Sequence, residues 1–366
     1  MIKTLAIETS CDDTSVGIVT YKDGIWSCPI LKIYSQIAEH QAYGGVVPEL
    51  AYRLHEEKII QLVEEIWYDE IMSCDCITVT REPWLPWSLV VWNTVASFLA
   101  SLYNKPIYRV NHIYGHVVSL LLDRHDSDCP LPRLVLTVSG GHNEIYLVED
   151  SNSKYPRGYE SREQDLIIQR IWHSLDDAAG ESFDKVARML GGSYPGGPWV
   201  EQIAKCWSSR SDIVFKRILL DGKWTWQAQE TIDTNHLNFS FSGMKSQVYN
   251  YLQKYPLDTL SEQDIADICL EFSECVSDIL VEKITWATQK YECKTVGLVG
   301  WVSANDRLYD KLQVRLPHLH CLRPVKKLYS TDNAAMIGVV WILEHTVKLK
   351  TSKNSDINFT ANKLIS

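Results

Sequence analysis

Strand-like apolar segments flank a polar turn at two places in the chain. Leu5–Ile7 and Val16–Val19 enclose one polar stretch, and Leu134–Val138 and Glu144–Val148 enclose another. Short apolar segments on both sides of a polar, turn-prone stretch predict a β-hairpin in each case. The second hairpin follows the first by about one domain length, which indicates two related halves.

A second pair of segments supports this division. Cys76–Thr80 has a strand pattern and precedes the helical run Ser88–Tyr103, and Thr295–Val299 likewise precedes Ala304–Gln313. Each half thus has an early hairpin and a later strand, loop and helix. The sequence therefore predicts an α/β protein of two duplicated lobes with a ligand cleft between them. The alternative is that hairpin patterns are common and that two copies are a coincidence.

Further segments have the apolar spacing of helices or none at all. Helices are expected over His55–Tyr68, Asp184–Leu190 and Ile265–Tyr291. Arg210–His236 is expected to be irregular, and the polar tail Thr351–Ile365 is expected to fray.

The composition is typical of a globular cytoplasmic protein. The chain has 366 residues, of which 45% are hydrophobic and 22% charged, and this length favours two domains over one. The longest apolar run, Ser88–Leu102, is too short to span a bilayer, and no signal-peptide pattern occurs, so no membrane association is expected. Ten cysteines without a CxxC pair favour reduced thiols. A net charge of −10 argues against a protein that coats itself with nucleic acid by charge alone, but it does not exclude a local basic patch.

His112 and His116 stand four residues apart in an apolar segment. On a helix this spacing puts both imidazoles on one face, where they can share a metal ion if another part of the chain supplies further ligands. Asp332, which precedes an apolar helical run, is the candidate third ligand. Two histidines and a carboxylate suit Fe(II) or Zn(II) acting as a Lewis acid. The alternatives are two partly buried helix histidines and, for Asp332, a helix N-cap.

Two glycine-containing segments are candidates for ligand binding. Ser139-Gly140-Gly141 follows an apolar strand pattern, and its backbone N–H groups could bind an anion unless the segment is only a hairpin turn. Gly191–Pro198, which follows Asp184, is either a second binding loop or a connector. P-loop and Rossmann motifs do not occur in the sequence. His55-Glu56 begins like HExxH but lacks the second histidine, which disfavours a zinc protease.

Motifs that run in order from Leu5 to Gly338 resemble those of the tRNA N6-adenosine threonylcarbamoyltransferase family, bacterial TsaD type. The matching segments are Ile7–Ser15, Tyr43–Ala51, Asn111–His116, Val138–His142, Asp176–Ala187, Tyr194–Pro198, Phe239–Lys245, Val302–Asn305 and Thr331–Gly338. The resemblance implies an actin/Hsp70/sugar-kinase-type (RNase H-like) fold of two lobes. Residues 1–130 would form the N-terminal lobe, completed by a C-terminal helix in 338–366, and residues 131–337 the C-terminal lobe.

The resemblance also implies an activity and its partners. A threonylcarbamoyl group would pass from threonylcarbamoyl-AMP to N6 of the adenosine 3′ of the anticodon, in tRNAs that read codons starting with A. TsaB-like and TsaE-like proteins would support turnover, and one divalent metal, Fe(II) with Zn(II) as the alternative, would be the cofactor.

Site residues follow from the matching motifs as implications of the same resemblance. His112, His116 and Asp332 would hold the metal, and Glu8 and Asp12 would lie at the reacting carbonyl. The adenylate substrate would be bound by Thr137, Val138, Ser139, Gly140, Gly141, Asp184, Gly197 and Asn305.

The family has glycine where this chain has tryptophan at six positions. These are Trp84, Trp87, Trp92, Trp172, Trp301 and Trp341, and Glu82 is a further departure for which we have no physical account. A backbone that needs positive φ or lies against a ligand rejects an indole. The chain has 13 Trp and 18 Gly, whereas average usage predicts about 26 Gly. We hypothesise that the source decodes UGA as glycine. If the tryptophans are real, we expect an inactive homologue with a blocked cleft.

Two other functions remain open. One is a related metal-dependent carbamoyltransferase that acts on another acceptor. The other is a non-catalytic binding partner, against which the intact His112, His116 and Asp332 argue. A sugar kinase is disfavoured because no sugar-binding signature occurs.

Overall fold

The computed structural model describes two β-sheets with helices around them. It covers residues 1–83, 86–150, 166–206, 213–218, 220, 238–346 and 350–351. Most of the segment Arg210–His236 and nearly all of the tail Thr351–Ile365 lie outside the described residues, as does Trp84.

The first sheet has five strands. They are β1 (Ile2–Glu8), β2 (Asp13–Lys22), β3 (Ile25–Ser35), β4 (Cys76–Glu82) and β5 (Ile107–Asn111). Their order in the sheet is β3-β2-β1-β4-β5. β1 and β2 form the predicted antiparallel hairpin, whereas β4 runs parallel to both β1 and β5. Only Ile2 of β1 is not fully buried, because both faces of the sheet are covered.

The second sheet repeats this arrangement. Its strands are β6 (Arg133–Val138), β7 (Asn143–Asp150), β8 (Leu166–His173), β9 (Thr295–Val299), β10 (His320–Leu322) and β11 (Lys350–Thr351). The order is β10-β9-β6-β7-β8-β11. Read from β8, the order β8-β7-β6-β9-β10 corresponds strand by strand to β3-β2-β1-β4-β5 of the first sheet. The strand β11 is added at the edge beside β8. Both predicted hairpins and the predicted duplication are therefore confirmed.

Eleven α-helices lie within the described residues. They are α1 (Ile37–Gln41), α2 (Pro48–Glu64), α3 (Tyr68–Met72), α4 (Pro86–Tyr103), α5 (His112–Val118), α6 (Ala179–Met189), α7 (Gly196–Cys206), α8 (Ser242–Lys254), α9 (Glu262–Tyr291), α10 (Asp306–Arg315) and α11 (Ala334–Thr346). None of them combines the length and the apolar character that a membrane span needs. The nine cysteines whose side chains the structure describes are free thiols.

Several predicted helices have other limits in the structure, among them the one expected over Asp184–Leu190, which is α6 and begins at Ala179. The helix expected over His55–Tyr68 is α2, which begins at Pro48 because proline presets the helical φ at a first position. It ends at Glu64, before the separate helix α3. The helix expected from Ala304 is α10, which begins at Asp306 because Trp301–Ala304 form a short 3-10 helix.

The last helix packs on the first sheet. α11 lies against β1 and β2, and a Cβ added at Gly338 would lie 2.5 Å from Val19 Cγ2, so glycine permits this close approach. The helix expected in 338–366 is α11, which begins earlier, at Ala334, and ends at Thr346. The domain boundaries themselves stay a prediction.

Candidate functional site

The two histidines of the HxxxH pair lie at the start of α5. Asn111 ends β5 and caps the helix, since its Oδ1 accepts hydrogen bonds from the backbone N–H groups of Ile113 (2.9 Å) and Tyr114 (3.2 Å). The helix therefore begins directly at the strand end. His112 and His116 share one face, and their Nε2 atoms are 3.1 Å apart.

Asp332 reaches the same point from the far end of the sequence. Its Oδ1 lies 3.0 Å from His116 Nε2 and 3.5 Å from His112 Nε2. The alternative role as helix N-cap is wrong, because the next residue, Asn333, accepts the hydrogen bond from the backbone N–H of Met336 at 3.1 Å. The carboxylate of Asp332 is thus free to face the two imidazoles.

The three side chains fit a metal ion. Their ligand atoms all lie within 4.8 Å of one another. Imidazole nitrogens bind Zn(II) at about 2.0–2.1 Å, so two of them on one ion stand about 3 Å apart, as the two Nε2 atoms do. Asp332 keeps 20% of its side chain exposed, whereas the histidines are buried, so the group opens to solvent on the carboxylate side.

Glu8 lies behind His112 and is completely buried. Its Oε2 is 3.1 Å from His112 Nδ1, and the Ser10 hydroxyl is also 3.1 Å from that nitrogen. Thr80 donates a hydrogen bond to the same carboxylate oxygen. A carboxylate at Nδ1 holds the proton there and leaves the Nε2 lone pair for a metal. The structure thus places Glu8 behind a metal-ligand candidate, whereas we expected it at a reacting carbonyl.

The charges of the group influence one another. Burial alone would raise the pKa of Asp332, but His112 and His116 lower it to about 2. Burial lowers the pKa of His112, and the carboxylates of Asp332 and Glu8 more than offset this, so that its pKa lies above the usual value. The carboxylate of Asp332 is therefore ionised at neutral pH and suited to a cation.

A cleft of about 520 Å³ extends from this group and is lined by residues of both lobes. Eight of the predicted site residues line it, namely Asp12, His112, His116, Ser139, Gly140, Gly141, Asp184 and Asp332. Further lining residues that the sequence did not single out as site residues include Asp13, Glu181 and Tyr194. Each belongs to a quoted motif, so motif membership was the signal that could have identified them.

The Ser139–Gly141 turn forms one wall of the cleft. Helix α6 packs against it, since the backbone N–H groups of Gly180 and Glu181 donate to the carbonyls of Ser139 (3.3 Å) and Gly140 (3.1 Å). A Cβ at Gly180 would lie 2.7 Å from Gly140 Cα, so this contact requires glycine. Two backbone N–H groups at the start of α6 therefore donate to this turn and are not available to a ligand. The side of the turn at Gly140 is open, since no atom lies within 4 Å of a Cβ built there.

Asp184 joins α6 to the beginning of α7. Its Oδ1 accepts a hydrogen bond of 2.6 Å from the backbone N–H of Gly196. Burial is the main reason that the pKa of Asp184 rises to about 6. A Cβ at Gly196 would lie 2.5 Å from Asp184 Cα, so the helices can approach this closely only with glycine there.

Four residues expected to hold the adenylate do not line the cleft. Thr137 and Val138 are buried in β6, and the Thr137 hydroxyl donates to the carbonyl of Glu144 at 3.2 Å. Asn305 caps α10 through a hydrogen bond of 3.2 Å from Leu308 N–H. Gly197 follows Gly196, which contacts Asp184, and no atom lies within 4 Å of a Cβ built at Gly197. The side chains of Thr137 and Asn305 thus form hydrogen bonds within the elements around the cleft.

Acidic side chains from the first hairpin turn complete the cleft. Burial raises the pKa of Asp12 and of Asp13, and the nearby carboxylates reinforce the shift. Asp13 Oδ1 is buried and has no hydrogen-bond partner among the described residues.

Trp301 also lines the cleft. It follows Gly300, whose φ of 85° and close contact with the Val138 carbonyl require glycine. The positive-φ argument against tryptophan does not hold for the three described indoles, because Trp172, Trp301 and Trp341 all have negative φ. Trp172 and Trp341 are buried at 4% and 3% exposure. The steric argument concerns the cleft, where the Trp301 side chain occupies space that glycine would leave open.

Comparison with known proteins identifies relatives along almost the whole chain. The family described as TsaD, tRNA N6-adenosine threonylcarbamoyltransferase, matches residues 30–339. The protein of that name from Prochlorococcus marinus (strain MIT 9515) is 36% identical over 367 residues, which cover 97% of this chain and 93% of that protein. The one from Kosmotoga olearia is 38% identical, with 93% and 92% covered.

Solved structures share the fold. T. kodakarensis HypF superposes with a TM-score of 0.56 at 11% identity and covers 95% of this chain, which spans 49% of that protein. Full-length HypF in a phosphate- and nucleotide-bound form gives a TM-score of 0.54, with 95% and 56% covered. These likenesses confirm the predicted α/β fold of two actin-like lobes. The sequence matches show that this chain belongs to the tRNA N6-adenosine threonylcarbamoyltransferase family.

Proposed function

We propose that this chain transfers a threonylcarbamoyl group from threonylcarbamoyl-AMP to N6 of the adenosine 3′ of the anticodon, in tRNAs that read codons starting with A. The observation that carries the proposal is the convergence of His112, His116 and Asp332 at the edge of a cleft with a glycine-containing wall. Family membership supplies the reaction class, and the cleft supplies room for an acyl-adenylate.

The metal would be Fe(II), with Zn(II) as the alternative, held by His112, His116 and Asp332. When bound, such an ion acts as a Lewis acid toward carbonyl or phosphate oxygens. Glu8 would orient His112 and fix its tautomer, because its carboxylate accepts a hydrogen bond from the Nδ1–H group of His112. Asp332 would bind the cation without first losing a proton, because its pKa is about 2.

The remaining steps belong to the cleft residues. Gly140 and Gly141 would let the adenylate lie close to the backbone, and Asp184 would hold the α6–α7 junction around it. The N6 amine attacks the carbamoyl carbon, the new N–C bond forms, and the C–O bond to phosphate breaks with its electron pair leaving on AMP. Asp12 would accept the N6 proton, because its raised pKa makes its carboxylate a stronger base than usual.

The partners would be tRNA and proteins of the TsaB-like and TsaE-like kinds. The net charge of −10 fits a protein whose affinity for tRNA is shared with other subunits. Two neighbouring basic side chains are already paired, Arg323 with Asp306 at 2.7 Å and Lys326 with Asp123 at 2.7 Å.

The test compares Asp332→Asn with the exposed control Asp258→Asn. Purified proteins are loaded with Fe(II) and incubated with threonylcarbamoyl-AMP, tRNA and the partner proteins, and modified adenosine is measured by mass spectrometry. Asp332→Asn should lose metal and at least about a hundredfold of the rate, since it removes a negative ligand. Wild-type metal content and rate in Asp332→Asn would contradict the proposal, and so would transfer of a plain carbamoyl group to another acceptor.

A further inference from the structure

Two loops of the first lobe form one wall of the cleft. One is the turn between β1 and β2, which contributes Cys11, Asp12 and Asp13, and the other precedes α2 and contributes Gly45 and Val46. Apart from Asp13, which begins β2, these residues belong to no strand or helix. Their positions therefore depend on side chains that lie behind them.

Three buried polar side chains connect the two loops. They are Gln36, His40 and His55, each with 0% exposure. Val47 N lies 3.3 Å from His40 Nδ1, and His40 Nε2 lies 3.1 Å from Gln36 Oε1. Gln36 Nε2 lies 3.2 Å from His55 Nδ1, and His55 Nε2 lies 3.0 Å from the carbonyl oxygen of Cys11.

Both ends of this chain fix its direction. The Cys11 carbonyl can only accept, so His55 Nε2 carries the proton and His55 Nδ1 accepts from Gln36. The backbone N–H of Val47 can only donate, so His40 Nδ1 accepts and its Nε2–H donates to Gln36 Oε1. One amide orientation of Gln36 satisfies both histidines. The four hydrogen bonds thus run in a single direction from Val47 to Cys11.

Other contacts attach the same residues to the acidic turn. The Thr14 hydroxyl lies 2.8 Å from His55 Nδ1 and shares the one lone pair of that nitrogen with Gln36 Nε2. The backbone N–H of Gln36 donates to the Asp12 carbonyl at 3.0 Å. Gln36 Nε2 also lies 3.3 Å from the carbonyl of Ala51 in α2. The turn is therefore held on both sides of Asp12 and Asp13.

We propose that Gln36, His40 and His55 are positioning residues, which hold the Cys11–Asp13 turn and the Gly45–Val47 loop at the separation that the acyl-adenylate requires. This inference rests on the proposed function. None of the three lines the cleft, so they act through the two loops. Their buried polar groups satisfy one another, so a variant that removes one member leaves the next one without its partner.

The test compares His55→Gln with His55→Leu. The amide of glutamine keeps a donor and an acceptor, whereas leucine fills similar space without either. His55→Leu should raise the KM for threonylcarbamoyl-AMP and the Kd for AMP at least about tenfold while kcat changes less, and His55→Gln should recover most of the loss. Bound Fe(II) should stay equal in all variants. The exposed His318→Gln is the matched control.

The outcomes separate this inference from the proposed function. Absence of tRNA modification by the wild-type protein would overturn the proposed function. Folded His55→Leu with wild-type KM and Kd, or His55→Gln no better than His55→Leu, would overturn the positioning role. If His55→Leu does not fold, Gln36→Met, which keeps the side-chain length, is measured instead by the same titration and should show the same weaker AMP binding. Wild-type AMP affinity in folded Gln36→Met would likewise contradict it.

Discussion

At the scale of single residues, the candidate metal site depends on carboxylates on both sides of one imidazole. Glu8 faces His112 Nδ1, and Asp332 faces His112 Nε2. The pair of candidate ligands His112 and His116 was predictable from their spacing, because residues four positions apart on a helix lie on the same face. The role of Glu8 was not, because only the packing of β1 against α5 decides which side of the ring it meets.

Replacement of Glu8 tests this arrangement. Glu8→Gln keeps the size but removes the negative charge at Nδ1, so Fe(II) or Zn(II) affinity should fall about 10–100-fold. Calorimetric titration with each metal measures it, and the exposed Glu262→Gln is the control. Unchanged affinity in Glu8→Gln would mean that Glu8 does not orient His112.

Position 301 gives a second prediction at this scale. If UGA is decoded as glycine, the protein from its own source carries glycine at 301, and the mass of the peptide that contains Val302 and Asn305 shows this directly. A tryptophan mass at that position, or UGG in the gene, would end the hypothesis. Under the UGA hypothesis, the recombinant variant Trp301→Gly should bind AMP more tightly than the recombinant protein with tryptophan, because the cleft gains space.

At the scale of elements, the close contact of α6 and α7 was not visible in the sequence. The glycine-rich segment indicated a loop, whereas Gly196 and Gly197 begin α7 in the structure. Gly196→Ala should destabilise the fold by about 1–3 kcal/mol, because its Cβ would meet the backbone at Asp184. Gly197→Ala has open space at its Cβ and should change the unfolding free energy little. Urea unfolding of both variants measures the difference, and equal stabilities would contradict the packing.

The buried histidines behind the first hairpin predict a pH dependence. Burial lowers the pKa of His55 to about 4, while the nearby Cys11 carbonyl and Glu8 act against the shift and His40 adds to it. Above pH 6.5 both the folded and unfolded states are neutral at this residue. As the pH falls from 6.5 toward 4, only the unfolded state gains a proton, so the unfolding free energy falls by about 1.4 kcal/mol per pH unit.

The measurement is urea unfolding at several pH values between 4.5 and 7.5, which bracket most of this window. The variant His55→Gln has no titrating group at position 55, so its unfolding free energy should fall less steeply with decreasing pH than that of the wild-type protein. Parallel slopes would contradict the assignment of the effect to His55.

At the scale of the whole molecule, one contact joins the two lobes across the rim of the cleft. The Arg188 guanidinium on α6 donates to the carbonyl of Gly44, which has a φ of 67° in the loop before α2. Arg188→Ala should release AMP several times faster, because the rim then loses a charge-assisted hydrogen bond. Stopped-flow dissociation measures this, with Arg53→Ala, whose ion pair lies within α2, as the control. Equal release rates would mean that the contact does not retain the ligand.

The two-lobed architecture itself was predictable because each half repeats a hairpin, a strand and a helix. The relation of Asp332 to α5 was predictable only as a possibility, because a carboxylate before an apolar helix is equally suited to capping. The structure decides this through Asn333, which takes the cap. Long-range convergence depends on how α11 packs on the first sheet, and no local pattern encodes it.

The packing of α11 on β1 and β2 has a consequence for biosynthesis. The sheet made first by the ribosome receives this cover only after most of the second lobe has been translated, and Asp332, the third proposed metal ligand, emerges just ahead of the same helix. A nascent chain that stalls before Asp332 leaves one face of its oldest sheet exposed and cannot complete the ion site. Binding of an ion by all three proposed ligands would therefore have to follow synthesis of most of both halves.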